Sequence, residues 1–188
     1  DLSDSSSGEM TFKKSAVSSN SDAVSAQYIG DSSLASDDES FDINVKQLAA
    51  SQINTGNYLH PRSRLVKAGD YSFDLSINNV TYEFQFSVES SETLNNIQNK
   101  LARLINRSNI GLTATIKEDS LGNTAINIES EATGISGSSP VIFKIEPSQN
   151  SDKTDVSANA ALISTLGLDR VTQYPSNAIF NINDEERS

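Results

Sequence analysis

The chain has 188 residues and a formal net charge of −11, and its densest basic spots, Lys13-Lys14 and Arg62-Ser63-Arg64, hold two cations each. Nucleic acids and anionic membranes are bound by clustered Lys/Arg faces that neutralise phosphates, so this balance argues against both as partners. The absence of cysteine removes disulfides, thiolate catalysis and zinc–thiolate sites, and no apolar run is long enough to cross a bilayer as a helix.

Residues 1–40 are a low-complexity lead-in in which about a third of the positions are Ser, with Asp the other main component. Within it Met10-Thr11-Phe12-Lys13 and Ala23-Val24-Ser25-Ala26 could pair as edge strands. From Phe41 the pattern changes: Phe41, Ile43 and Val45 alternate with Asp42, Asn44 and Lys46, the period of a half-buried strand. Residues 47–52 then read as a strand end or a turn of helix, and His60-Pro61 marks a loop.

The clearest element is a hairpin over 71–88. Tyr71, Phe73, Leu75 and Ile77 line one face, Asn78-Asn79 supply a tight turn, and Val80, Tyr82, Phe84, Phe86 and Val88 line the returning face. At roughly 1.5–3 kcal/mol per fully buried large side chain, this face is the largest expected contribution to the core. The following helix is its expected cover: Leu94, Ile97, Leu101, Leu104 and Ile105 form one stripe, with Ser91 as N-cap, Glu92 at the favourable end of the dipole, and residues 106–109 ending it.

Strands over 112–117 and 124–129 follow, joined by the turn Ser120-Leu121-Gly122-Asn123. A strand at 141–145, a polar loop at 148–156, a short helix at 158–166 stopped by Gly167, and a strand at 178–182 complete the chain. The sum is a β-rich α+β fold of about seven strands, with antiparallel hairpins packed on one main amphipathic helix. Three stretches are expected: the lead-in at 1–40, a head domain at 41–172, and at 173–188 the start of a following segment or adjoining head domain. The Asp at position 1 and the charged end Asp184-Glu185-Glu186-Arg187 after a strand are what a piece of a longer chain would show.

No catalytic apparatus is legible. His60 is the sole imidazole and precedes Pro61 in a loop, so a Ser-His-Asp arrangement would rest on it alone. Asp37-Asp38-Glu39 lacks the alternating ligands and bend glycine of a calcium loop and reads as solvated acid. The loop Gly134-Ile135-Ser136-Gly137 precedes a strand, not a helix, so it is no phosphate cradle. We therefore expect no enzyme, no cofactor and no metal. Abundant Ser, Asn and Thr favour protein or glycan contact, and exposed loop residues Tyr58, Leu59, Arg62 and Arg64 are the candidates for an interface with a neighbouring copy.

The order of the motifs carries a resemblance. Phe41-Asp42-Ile43-Asn44-Val45-Lys46-Gln47-Leu48-Ala49-Ala50-Ser51-Gln52, the hairpin, the helix ending Ile105-Asn106, and Gly111-Leu112-Thr113-Ala114 are similar to the flagellar filament cap protein family, also called hook-associated protein 2. Ile126-Asn127-Ile128-Glu129-Ser130 with Thr133-Gly134, and Ala178-Ile179-Phe180-Asn181-Ile182-Asn183-Asp184, resemble its later motifs. Asp184 stands where that family usually has Gly, and the family's terminal stalk helices do not occur here. The resemblance implies an excised head region of a structural protein, self-associating as a ring at the flagellum tip outside the cell. It also implies export through the flagellar secretion apparatus, retention of exported flagellin, and help with its insertion. A flagellin variable domain, a hook-junction domain, or an adhesin binding host mucin or surface glycans are the alternative readings.

Overall fold

The computed structural model describes residues 42–150, 152, 154–183 and 185–187. The lead-in with its two candidate strands, the acidic run 37–39, Phe41 and Asp184 lie outside them. The described residues form a β-rich α+β fold with two helices and three antiparallel sheets.

The hairpin forms as its alternation dictates. β3 (Gly69–Ile77) and β4 (Val80–Val88) pair in register from Ile77–Val80 back to Gly69–Val88. Asn78 and Asn79 take left-handed φ values of 54° and 61°, the geometry of a two-residue turn whose twist suits the strands. Tyr71, Phe73, Leu75 and Ile77 are buried, and Phe73 stacks on Phe84 with ring centres 5.1 Å apart. The returning face is only partly covered, which corrects the expectation: Phe84 and Val88 are buried, but Val80 is 46% and Tyr82 38% exposed. β4 is an edge strand, and the core lies under β3 and its other neighbour, β7 (Phe143–Pro147), so the turn end of β4 overhangs it.

Helix α1 (Leu94–Ser108) starts at Thr93, not at Ser91. Thr93 Oγ1 accepts from Asn96 N–H while Asn96 Oδ1 accepts from Thr93 N–H, a reciprocal cap. Glu92 therefore stands outside the helix; it accepts from Glu89 N–H at 2.8 Å and pairs with Lys100 at 2.6 Å. Asn109, left-handed at φ 52°, ends the helix. α1 packs against β5 (Leu112–Glu118) and β6 (Thr124–Thr133), while α2 (Val156–Leu166) packs against β3 and β7. α1 is thus not the hairpin's sole cover; both helices and two of the sheets share one apolar core. α2 starts two residues earlier than its apolar pattern indicates, because Asp155 caps it by accepting from Ser157 and Ala158 N–H. The turn between β5 and β6 forms as expected, with the Asp119 carboxylate accepting from Leu121 and Asn123 N–H.

The main departure from the sequence reading is β2 (Ser51–Thr55), a central strand of the sheet β5-β6-β2-β8, where β8 is Val171–Gln173. Its inward positions are amides: Gln52 and Asn54 are fully buried and Ile53 is half-buried. An apolar alternation cannot reveal a strand whose buried face is polar. Gln52 makes this tolerable, since Oε1 accepts from Ile142 and Phe143 N–H at 2.7 and 3.0 Å while Nε2 donates to Phe143 O at 2.9 Å. It clasps β2 to the start of β7 and so joins two sheets. The third sheet orders β1 (Ile43–Gln47), β9 (Ile179–Ile182) and β10 (Glu185–Arg187), with Val45 opposite Phe180 and Ile43 opposite Ile182.

Candidate interaction surface

The connection from β2 to β3, residues 56–68, holds all four candidate interface residues. It is fastened along its length. Gly56 N–H donates to Ile126 O and Asn57 N–H to Leu166 O, and a Cβ on Gly56 would fall 2.4 Å from Leu166 O, so only glycine fits there. Leu59 and Thr124 exchange both backbone hydrogen bonds, at 3.0 and 2.9 Å. Further on, Pro61 O and Ser63 O accept from the N–H groups of Asn95 and Leu94, at 3.0 and 2.8 Å. These are donors that the first turn of α1 cannot satisfy within the helix. Val66 is buried, and Tyr71 Oη donates to Lys67 O at 2.7 Å; burial raises the Tyr71 phenol above its ordinary value and keeps it a donor.

The loop presents its side chains unevenly. Tyr58 is 41% exposed, and Arg62 and Arg64 are exposed. Leu59 is not: it is half-buried and packs against the core, anchoring the loop rather than standing on its surface. His60 is exposed, and its Nδ1 accepts from Arg62 N–H at 3.3 Å, a role in turn geometry. Leu65, 60% exposed, and the exposed Lys67 extend the same surface and escape the sequence reading. A signal for them exists: from Ile43 to Gly69 the chain carries Lys46, Arg62, Arg64 and Lys67 and no Asp or Glu, although it is strongly acidic overall. Among the described residues the side chains of Arg62, Arg64 and Lys67 enter no ion pair or hydrogen bond. Tyr and Arg on a rigid support are the residue types that anchor protein interfaces.

Nothing nearby is arranged for chemistry. A shallow open depression of about 420 Å³ beside the start of α1 is lined by Ser91, Glu92, Asn96, Asn99 and Arg103. Among the described residues no group of three His, Asp or Glu side chains is placed to hold a metal ion, and no helix is long and apolar enough to cross a membrane.

No family model and no curated protein matches the chain. Solved structures do. The D2-D3 domains of the flagellar cap protein FliD from Serratia marcescens superpose with a TM-score of 0.56 at 18% identity, over 78% of this chain and 75% of that one. The D2-D3 domains of FliD from Escherichia coli do so with a TM-score of 0.51, also at 18% identity, over 78% and 72% of the two chains. At such identity the likeness is one of backbone architecture, and it coincides with the motif order of the sequence: the chain has the fold of flagellar cap protein head domains.

Proposed function

We propose that the chain is the head region of a flagellar filament cap, a structural and not an enzymatic protein at the tip of the extracellular filament. The observation that supports this most is the fold shared with cap D2-D3 domains across three quarters of both chains. In this reading the whole protein is exported by the flagellar secretion apparatus, self-associates as a ring, retains exported flagellin and helps it insert. Residues 41–172 are the head domain, and 173–188 begin the adjoining segment. The strand pair β1–β9 crosses that division and ties the way into the head to the segment that follows it. Tyr58, Arg62 and Arg64, steadied by Leu59, are the interface residues.

Deleting the whole gene and measuring flagellin in the medium tests the role. Monomeric flagellin accumulating around non-motile cells that lack filaments is the expected result. Normal filaments and motility would overturn it and leave another axial protein or an adhesin as the better reading.

A further inference from the structure

We propose that Asp22–Asp31, a stretch of the Ser/Asp-rich lead-in, docks on the head of its own chain, on the face of the β2–β3 loop that carries Tyr58, Arg62, Arg64, Leu65 and Lys67. The docking goes beyond the cap reading and does not depend on it.

The loop is an open basic surface on an acidic chain. No Asp or Glu lies between Ile43 and Gly69, and the side chains of Arg62, Arg64 and Lys67 enter no ion pair or hydrogen bond among the described residues. Tyr58 and Leu65 stand beside them, 41% and 60% exposed, so the cations frame apolar area. The surface is shaped before anything arrives. Leu59 bridges to Thr124, Pro61 O and Ser63 O accept from the first turn of α1, and Lys67 O accepts from Tyr71 Oη. Little ordering entropy is therefore lost from the loop on docking.

The lead-in carries the complement. Residues 15–40 hold five acids and no base. Within them Asp22 and Asp31 bracket Val24, Tyr28 and Ile29, acids around apolar residues to match cations around Tyr58 and Leu65. The reach is sufficient. A domain of about 150 residues has a radius of gyration near ~15 Å and a width of about 40 Å, which about 12 extended residues cover. Asp31 stands at about that distance along the chain from Asp42, where the described head begins, and Asp22 at nearly twice it. Tethering also decides between occupants. It presents the segment at roughly millimolar effective concentration, whereas a second copy brings a net charge of −11 that repels the first. In the cap reading the same loop meets a neighbouring copy, so the docked segment covers that interface until the neighbour displaces it. That consequence, unlike the docking, rests on the cap reading.

Paramagnetic relaxation on the full chain reads the contact. The chain has no cysteine, so Ser19→Cys takes a single nitroxide beside the segment. At low ionic strength, where the Debye length is about 30 Å, the amide signals of residues 58–67 should lose ~2-fold more intensity than the rest of the head; at about 3 Å they should recover. Arg62→Glu with Arg64→Glu and Lys67→Glu abolishes the loss. Adding Asp22→Lys with Asp31→Lys restores it, because both signs are then reversed. These loop positions are exposed, and thermal melts check that each variant folds. A nitroxide-labelled chain mixed with an isotope-enriched chain lacking the label should leave the enriched chain unbroadened. An even loss across the head, a loss that survives the loop variant, or a rescue that fails would each overturn the docking. So would a loss transferred to the enriched chain, which makes a second copy the occupant. None of these results bears on flagellin release after gene deletion, so this inference and the cap reading fail separately.

Discussion

Side-chain amides do work here that apolar residues do in most cores. Gln52, Asn54, Gln98 and Asn159 are essentially fully buried, and each bonds to backbone groups of another element. A buried amide is costly unless its partners are met, and removing it strands those partners. Gln52→Ala leaves the N–H groups of Ile142 and Phe143 without their acceptor, so urea denaturation should show a loss of about 2–4 kcal/mol. Two carboxylates predict opposite responses to pH. The hydrogen bond from Lys100, and then the one from Glu89 N–H, lower the Glu92 carboxyl below its ordinary 4.5. Its stabilisation is present above that value and is lost as pH falls through the lowered one. Glu92→Gln should therefore melt below the wild type at pH 7, by about 0.5 kcal/mol, and match it in acid. Asp74 is raised from 3.8, so its cost is present at neutral pH and absent in strong acid. Asp74→Asn should stabilise by about 0.2–1 kcal/mol at pH 7, and the gain should fade toward pH 3.8.

At the scale of elements, what was legible in the sequence is what an apolar period can carry. The hairpin β3–β4 and the stripe of α1 were readable because one face of each is hydrocarbon, and the turn at Asn78-Asn79 because those residues tolerate positive φ. β2 was not, since its buried side chains are Gln52 and Asn54. Nor was β10, whose three residues are all charged and whose partner is β9. The four candidate interface residues do fall in one loop, but chain order could not show that a backbone bridge to Thr124 turns Leu59 inward. The Ile-Asn pair ending α1 gains a physical meaning: Ile105 is buried, while Asn106 imitates a neighbouring strand. Its Oδ1 accepts from Ala114 N–H at 2.7 Å and its Nδ2 donates to Ala114 O at 2.9 Å, on the edge strand β5. Asn106→Ala removes two hydrogen bonds and leaves part of that edge open, so a loss of about 1–3 kcal/mol is expected in denaturant melts, with greater aggregation on heating.

At the scale of the whole molecule, stability is unevenly shared. Two sheets and both helices converge on one core, clasped by Gln52 and by Asn54, whose Nδ2 donates to Leu168 O. The sheet β1-β9-β10 contributes no residue to that core. Its apolar residues Ile43, Val45, Phe180 and Ile182 are only half-buried, and its ion pair Lys46–Glu186 is 48% and 63% exposed on its two sides and so worth little. Near it, Ala50 and Ser176 exchange backbone hydrogen bonds at 2.9 and 3.3 Å, outside the three named strands. A unit with few buried apolar contacts opens locally at a lower free energy than the core it adjoins. Native-state hydrogen exchange should therefore show amides of β1 and β9 exchanging ~10-fold or more faster than those of β3 and β6, without loss of the far-ultraviolet signal. If instead all four strands exchange together, the third sheet is part of one cooperative unit.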